Sequence, residues 1–234
     1  MFSQTARYYD KIYGSFKDYA AEAARITAII RQHLRSDGRR LLDVACGTGG
    51  HIAHLKEHFE VQGLDISSEF LELARQKYPD VVFHRADMVD FDLADRFDVV
   101  TCLFSSIGYV KTLDNLTRVV GSMARHVLPG GLLIIEPWFT PDTWYAPSVH
   151  ATMIDEPELK IARVNTSFAD GRLSYFDLHY LIGTLEGTEH FVERHELGLF
   201  ETEEVRAAIA EAGFDVTYDD DGLTGRGLFI GRRP

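Results

Sequence analysis

The sequence predicts an α/β fold in which a mostly parallel sheet flanked by helices is interrupted by an antiparallel β insertion. Three observations predict it. Apolar strand-like runs alternate with helical periodicity between residues 40 and 138. A glycine-rich turn, "ACGTGG", follows the first of those runs and opens a helix. From about 149 to 200 the helical signal vanishes, and strand-like runs are separated by the turn signals "ADG" and "EGT". The 234 residues suit one sizeable domain carrying an insertion, and a 45% apolar share suffices for a core. The expected organisation is an α/β core with an N-terminal helical cap over 1–148, the antiparallel insertion over 149–200, and the end of the core over 201–234.

The elements follow in order. Residues 18–35 predict a helix with Ile26, Ile29, Ile30 and Leu34 on one face. Residues 40–45 read as a buried strand, "GHIAHLKEHF" as a helix and "VQGLDIS" as a second strand. Ser67 or Ser68 can cap the helix "EFLELARQKY". "VVFHRADM" is a third strand with its exit loop, and "FDVVTCLFSS" a fourth. A helix over 112–127 is stopped by "LPGG", and "LLIIEPW" is the fifth strand. "LKIARVNTSF", "RLSYFDLHYLIGTL" and "TEHFVERHELGLF" supply the insertion's strands. "ETEEVRAAIAEAGF" returns to helix with Thr202 as its cap, and "FDVTYDD" and "RGLFIGR" close the chain as strands. Strand and helix alternating at this spacing imply right-handed parallel crossovers.

Charge and composition exclude several function classes. Acids outnumber bases 36 to 24, a net charge of −12, which disfavours nucleic acid and polybasic membrane contact. No apolar run is long enough to span a bilayer. The start "MFSQTARYYDKIYG" lacks the apolar stretch of a secretory leader, so a cytoplasmic location is expected. Cys46 and Cys102 read as thiols in a reducing compartment. Ten histidines fall in no H-E-x-x-H pattern and no C-x-x-C occurs, so no metal site is expected.

Chemistry concentrates at the glycine turn. Ala45-x-Gly47-x-x-Gly50 imitates a dinucleotide fingerprint that has lost its first glycine. Asp43-x-Ala45-x-Gly47-x-Gly49 instead matches the S-adenosylmethionine loop. Charge separates the two: a pyrophosphate wants backbone N–H groups and no carboxylate, whereas an ammonium and a sulfonium are attracted by Asp43. Asp65 ends the second strand and can accept both ribose hydroxyls, with Ile66 beside it. Asp87 ends the third strand and can accept an adenine amino group, with Met88 packed on the ring. Leu103 completes the expected cofactor wall. A carboxylate that only ties its loop is the competing reading of Asp43, and a solvated surface residue that of Asp87.

The loop and its strand-end acids resemble the class I S-adenosylmethionine-dependent methyltransferases, a Rossmann-like fold. That resemblance implies a seven-stranded sheet whose last strand is antiparallel. The segment "CLFSSIGYV" lacks the Asn/Asp-Pro-Pro-aromatic tetrad of nucleobase and amide methylators. "YYDKIYGSFKDYAAEA", "FSSIGYVKT", "IIEPWFTPDTW" and "GLTGRGLFIG" are together similar to the nucleotide-amino-sugar N,N-dimethyltransferases of antibiotic deoxysugar biosynthesis. The resemblance implies a TDP-linked amino-sugar substrate and a homodimer, the latter through the insertion. It implies that Tyr13, the second tyrosine of Tyr-Asp-x-x-Tyr, orients the amine. It also implies that Arg226 contacts phosphate, with Arg163 and Lys17 as weaker candidates. A solvated strand-end arginine is the competing reading of Arg226.

His179 can take the proton if the insertion roofs the pocket, against a plain strand histidine. Tyr19 can meet the cofactor's carboxylate, against helix packing. Trp138 can wall the acceptor pocket, against core packing, and Glu136 can bind a sugar hydroxyl or the amine. Phe104, Ser105, Tyr109 and Trp144 are placed at the same sheet edge. Rival functions are an O- or N-methyltransferase of another small metabolite, a non-catalytic cofactor-binding partner subunit, and a nicotinamide oxidoreductase, which Asp43 and Asp87 disfavour.

Overall fold

A computed structural model describes residues 5–234; the first residues of the stretch read as lacking a leader lie outside the described residues. Five strands alternate with helices: β1 (Arg40–Val44), β2 (Glu60–Asp65), β3 (Val82–Arg85), β4 (Phe97–Cys102) and β5 (Val127–Ile135). With β10 (Asp215–Asp219) and β11 (Leu228–Arg232) they form one seven-stranded sheet, ordered β10-β11-β5-β4-β1-β2-β3. β1 pairs in parallel with β2 and β4, whereas β11 runs antiparallel to both β5 and β10. The strand order reverses at β1 and β4, and the crevice beyond their carboxyl ends is where such sheets bind ligands.

Successive strand residues face opposite layers. Leu42, Val44, Val100, Leu133 and Ile135 pack beneath α5 (Leu113–Ala124) and α6 (Thr202–Glu211). Leu41, Val99, Leu132 and Ile134 pack beneath α2 (Tyr19–His33), α3 (Ile52–Leu55) and α4 (Ser68–Lys77). Most of these helices start at a capping side chain: Asp18 accepts from the Ala21 N–H, Ser67 from Phe70 and Thr112 from Asn115.

The structure departs from the sequence reading at several boundaries. The α6 cap is Glu201 rather than Thr202, in a reciprocal capping box with Glu204. The helix expected over "GHIAHLKEHF" shrinks to the single turn of α3. The expected helix stop "LPGG" belongs to β5, whose register against β4 shifts there: Phe97 faces Val127, but Val99 faces Leu132. A short helix α1 (Tyr9–Gly14) was not foreseen.

The insertion is a four-stranded antiparallel sheet: β6 (Ser148–Asp155), β7 (Leu159–Asp170), β8 (Leu173–Thr184) and β9 (Gly187–Gly198). The sequence reading missed β6, whose alternating apolar residues Val149, Ala151 and Met153 are exposed rather than buried. Ile154, Ile161, Leu178, Tyr180, Ile182 and Phe191 line the sheet's inner face and close over Ile12 of α1. The insertion and α1 together therefore roof the carboxyl edge of the main sheet.

Candidate active site

Asp43 lies in β1 opposite Thr101 of β4, whose hydroxyl donates to Oδ1 at 2.8 Å. It is 2% exposed. Burial pushes its carboxyl up to about 6, against the pull of His51 and the Thr101 hydrogen bond. The chain then turns through Ala45 at φ 58° and Gly47 at φ 56°. A left-handed alanine is strained by roughly 1–2 kcal/mol, and such strain collects where backbone must approach a ligand. Asp43, Ala45, Gly47, Tyr19 and Leu103 share one small cavity.

A larger cavity of about 840 Å³ continues along the sheet edge and takes in Ala45, Gly47, Asp65, Ile66, Asp87 and Met88. Asp65 ends β2 and accepts the N–H groups of Gly47 at 2.8 Å and Ser67 at 2.9 Å. Burial raises its pKa while these donors lower it. A carboxylate has about four lone-pair sites, so capacity remains for a diol. Asp87 is exposed and accepts the Val89 N–H at 2.9 Å. Gly49 lines neither cavity. Its φ of +83° and the Tyr78 ring, 2.8 Å from where a Cβ would stand, explain the glycine structurally.

α1 closes this crevice from above. Asp10 accepts the Thr48 hydroxyl at 2.5 Å and the Lys77 ammonium at 2.7 Å, clasping α1 to the glycine loop and α4. Tyr9 lines both cavities, and its ring sits 4.8 Å from Phe70. Beside the glycine loop, Glu22 binds both Lys17 and His51 in a buried cluster, with the His51 contact at 2.7 Å. Against the cost of burial, the His51 and Lys17 contacts hold the Glu22 carboxyl below its ordinary value. Tyr19 packs edge-on against His51 at 5.0 Å.

At its other end the large cavity meets a groove of about 480 Å³ on the inner face of the insertion. Tyr13, Trp138 and Phe176 wall both spaces. Trp138 donates its indole N–H to Ser174 at 2.9 Å and packs against Trp144 at 5.4 Å. Arg163 enters the groove from β7, its guanidinium 5.4 Å from the Tyr13 ring and 3.0 Å from the Thr152 hydroxyl. Burial raises the Tyr13 phenol, and Arg163 pulls it back. No Asp or Glu lines this groove among the described residues.

Several expected site residues stand elsewhere. His179 points to the outer face of the insertion, stacked on His190 at 5.8 Å, because it alternates with the inward Leu178 and Tyr180. It does not line the acceptor cavity. Arg226 gives its Nε to Ser105 at 3.0 Å and its Nη2 to Glu136 at 3.1 Å, facing a separate cavity beside Lys17. Glu136 is 0% exposed and also accepts the Phe104 N–H and the Thr224 hydroxyl, so its carboxylate is engaged within the protein. Ser105 is buried and donates to the Pro137 carbonyl. Lys17 is buried with its ammonium on Glu22. These groups brace the turn after β4, and Arg163 is the arginine in the groove. Arg226→Ala is expected to destabilise the fold by about 3 kcal/mol, since it removes the cation paired with the buried Glu136 carboxylate. Thermal unfolding checks this, with Arg226→Lys retaining most of the loss.

Sequence reasoning missed Tyr9, Phe176 and His195 as cavity walls. Tyr9 was signalled by its place at the head of the Tyr-Asp-x-x-Tyr pattern. His195 could be found only once β9 was in register.

The assembled donor set fits one ligand: a buried carboxylate for cations, a second for a diol, and an apolar shelf of Ile66 and Met88 beside Asp87 for a purine. Residues 41–131 match the family model described as a methyltransferase domain. The chain is 39% identical to the dTDP-3-amino-3,6-dideoxy-alpha-D-glucopyranose N,N-dimethyltransferase of Streptomyces fradiae, over 97% of this chain and 90% of that protein. It is also 39% identical to the dTDP-4-amino-2,3,4,6-tetradeoxy-D-glucose N,N-dimethyltransferase of Saccharopolyspora spinosa, over 96% and 91%. Among solved structures it is similar to S-adenosylmethionine-bound CalS10, an amino pentose methyltransferase of calicheamicin biosynthesis from Micromonospora echinaspora. The TM-score is 0.88 at 37% identity, covering 97% of this chain and 96% of that one. Carboxylates at the ends of β1, β2 and β3, a roof built by the insertion and this similarity along nearly the whole length converge: the chain belongs to the S-adenosylmethionine-dependent methyltransferases, within the nucleotide-amino-sugar N,N-dimethyltransferase family.

Proposed function

We propose that this enzyme methylates, once and then again, the amino group of a dTDP-linked deoxyamino sugar. One observation carries the reading: the cofactor cavity opens through Tyr13, Trp138 and Phe176 into an aromatic groove that holds Arg163 and no carboxylate. In a chain of net charge −12, such a groove is a local refuge for an anionic nucleotide. Its rings offer stacking surface to a base, and the Arg163 guanidinium matches a phosphate.

S-adenosylmethionine, when bound, supplies an electrophilic methyl group on a cationic sulfur. Asp43 holds the positively charged end, Asp65 the ribose, and Tyr9 with Phe104 and α1 keep water out. Most of the acceleration comes from alignment of amine and methyl. The amine attacks only in its neutral form. Incubation with S-adenosylmethionine and dTDP-3-amino-3,6-dideoxyglucose should add one and then two methyl masses. Cofactor binding without turnover on any dTDP-amino sugar would overturn the reading. Relatives of equal identity act on 3-amino and 4-amino sugars, and a competition assay between the two substrates assigns the amine position.

We also infer that a second copy of the chain covers the outer face of the insertion. Met153, Leu181 and His190 form one cross-strand row with Ala162, and Val164, His179 and Val192 a second with Ala151. Leu181 is 51% exposed at the centre of this apolar surface. Leu181→Glu is expected to halve the particle mass in light scattering without lowering cofactor affinity. No helix among the described residues is long and apolar enough to cross a membrane. Cys46 and Cys102 are free thiols, which suits the cytoplasm.

A further inference from the structure

Tyr109 belongs to the 3-10 turn Ser106–Val110 and His195 to β9, yet the fold joins them at the acceptor end of the cavity. The Tyr109 hydroxyl lies 2.8 Å from His195 Nδ1. His195 is 1% exposed, and its ring stacks on Phe176 with centroids 5.4 Å apart. Glu193, two residues earlier and on the same face of β9, brings a carboxylate oxygen to 3.9 Å from Nε2. Thr5 steadies Glu193 through its N–H at 3.2 Å and its hydroxyl at 2.7 Å.

This arrangement favours one placement of the protons. A carboxylate beside Nε2 favours the ring proton there and leaves Nδ1 as the acceptor. Burial, and then the charge of Arg163, push His195 down to about 4, so the ring is neutral at neutral pH. Nδ1 therefore accepts the Tyr109 O–H, and the phenol oxygen is set as an acceptor itself. Tyr13 is in a different state, because the Arg163 guanidinium stands 5.4 Å from its ring and pulls the phenol down against burial.

We propose that Tyr109, aimed by His195, orients the acceptor amine by accepting one of its N–H hydrogens, so that the nitrogen lone pair faces the methyl group. This rests on the amino-sugar reading above. The amine lone pair forms the C–N bond, and the sulfur–methyl bond breaks with its electrons remaining on sulfur. The extra proton on nitrogen leaves afterwards to solvent. His195 is far too weak a base to take it from an ammonium, so the pair orients and does not deprotonate.

A double-mutant cycle tests the pair. Tyr109→Phe should lower kcat for the first methyl roughly 10- to 100-fold, with S-adenosylhomocysteine affinity and Tm little changed. His195→Phe should lose a comparable factor, and the double variant no more than either alone, because each breaks the same alignment. His195→Asn, whose side-chain oxygen stands near the place of Nδ1, should recover part of the rate. Multiplying losses, an unaltered kcat in Tyr109→Phe, or losses that track Tm would overturn the proposal while leaving the function intact. If the unaltered enzyme binds cofactor but methylates no dTDP-amino sugar, the function reading falls and the proposal with it.

Discussion

Asp43→Asn is expected to weaken S-adenosylmethionine binding by roughly 2–3 kcal/mol, about 30- to 150-fold in Kd. Asparagine keeps the shape and can still accept from Thr101, so the loss isolates the charge. Calorimetry measures it directly, and an unchanged Kd would show that the carboxylate serves only the loop. The same charge predicts a pH dependence. In the free protein the Asp43 carboxyl titrates at about 6, so cofactor affinity should fall as pH drops below that value. Its contribution to stability runs the other way. A carboxyl raised from 3.8 to about 6 binds protons in the folded state before the unfolded chain does, so that contribution grows as pH falls from 6 toward 3.8. Acidification should therefore weaken cofactor binding without a matching loss of fold from this group. The asparagine variant should lose this step in the Kd profile.

Arg163→Ala is the second large effect. The KM for the dTDP-amino sugar should rise about 30- to 150-fold, as for loss of a charged hydrogen bond, with the Kd for S-adenosylhomocysteine unchanged. Arg163→Lys should recover only part, because an ammonium cannot make the fork contact of a guanidinium. Equal losses in both ligands would mean that Arg163 supports the fold of the junction. Arg163 is 3.0 Å from Thr152 and stands over Tyr13, so the Tm of each variant should be read alongside.

The parallel sheet and the acids at its strand ends were legible in the sequence for a local reason. Asp43, Asp65 and Asp87 each follow an apolar run within a few residues, and the glycine turn after β1 marks the edge they share. The insertion was legible as strands but not as faces. In β8 both Leu181 and its neighbours Tyr180 and Ile182 are apolar, so alternation could not say which side was roofed. That ambiguity placed His179 in the pocket and hid His195. The sequence reading also ranked Arg226 above Arg163 for the phosphate contact, because nothing local reveals the buried partner of Arg226. Glu136 is 90 residues from Arg226 and only the fold brings it there, whereas Thr152 faces Arg163 across the β6–β7 pairing that the sequence reading missed.

The clasp of α1 carries a consequence for how two methyls are delivered. Each transfer uses one cofactor molecule, so a spent one must leave before the next arrives. Tyr9 and the Asp10 contacts to Thr48 and Lys77 cover one side of the cofactor cavity, so loosening α1 is expected to widen its exit. Tyr13 rides on the same helix and walls the sugar side as well, so one opening unseals both compartments. Release of the half-finished product between rounds is the expected result, and time courses should then show free secondary amine building up before the tertiary amine appears.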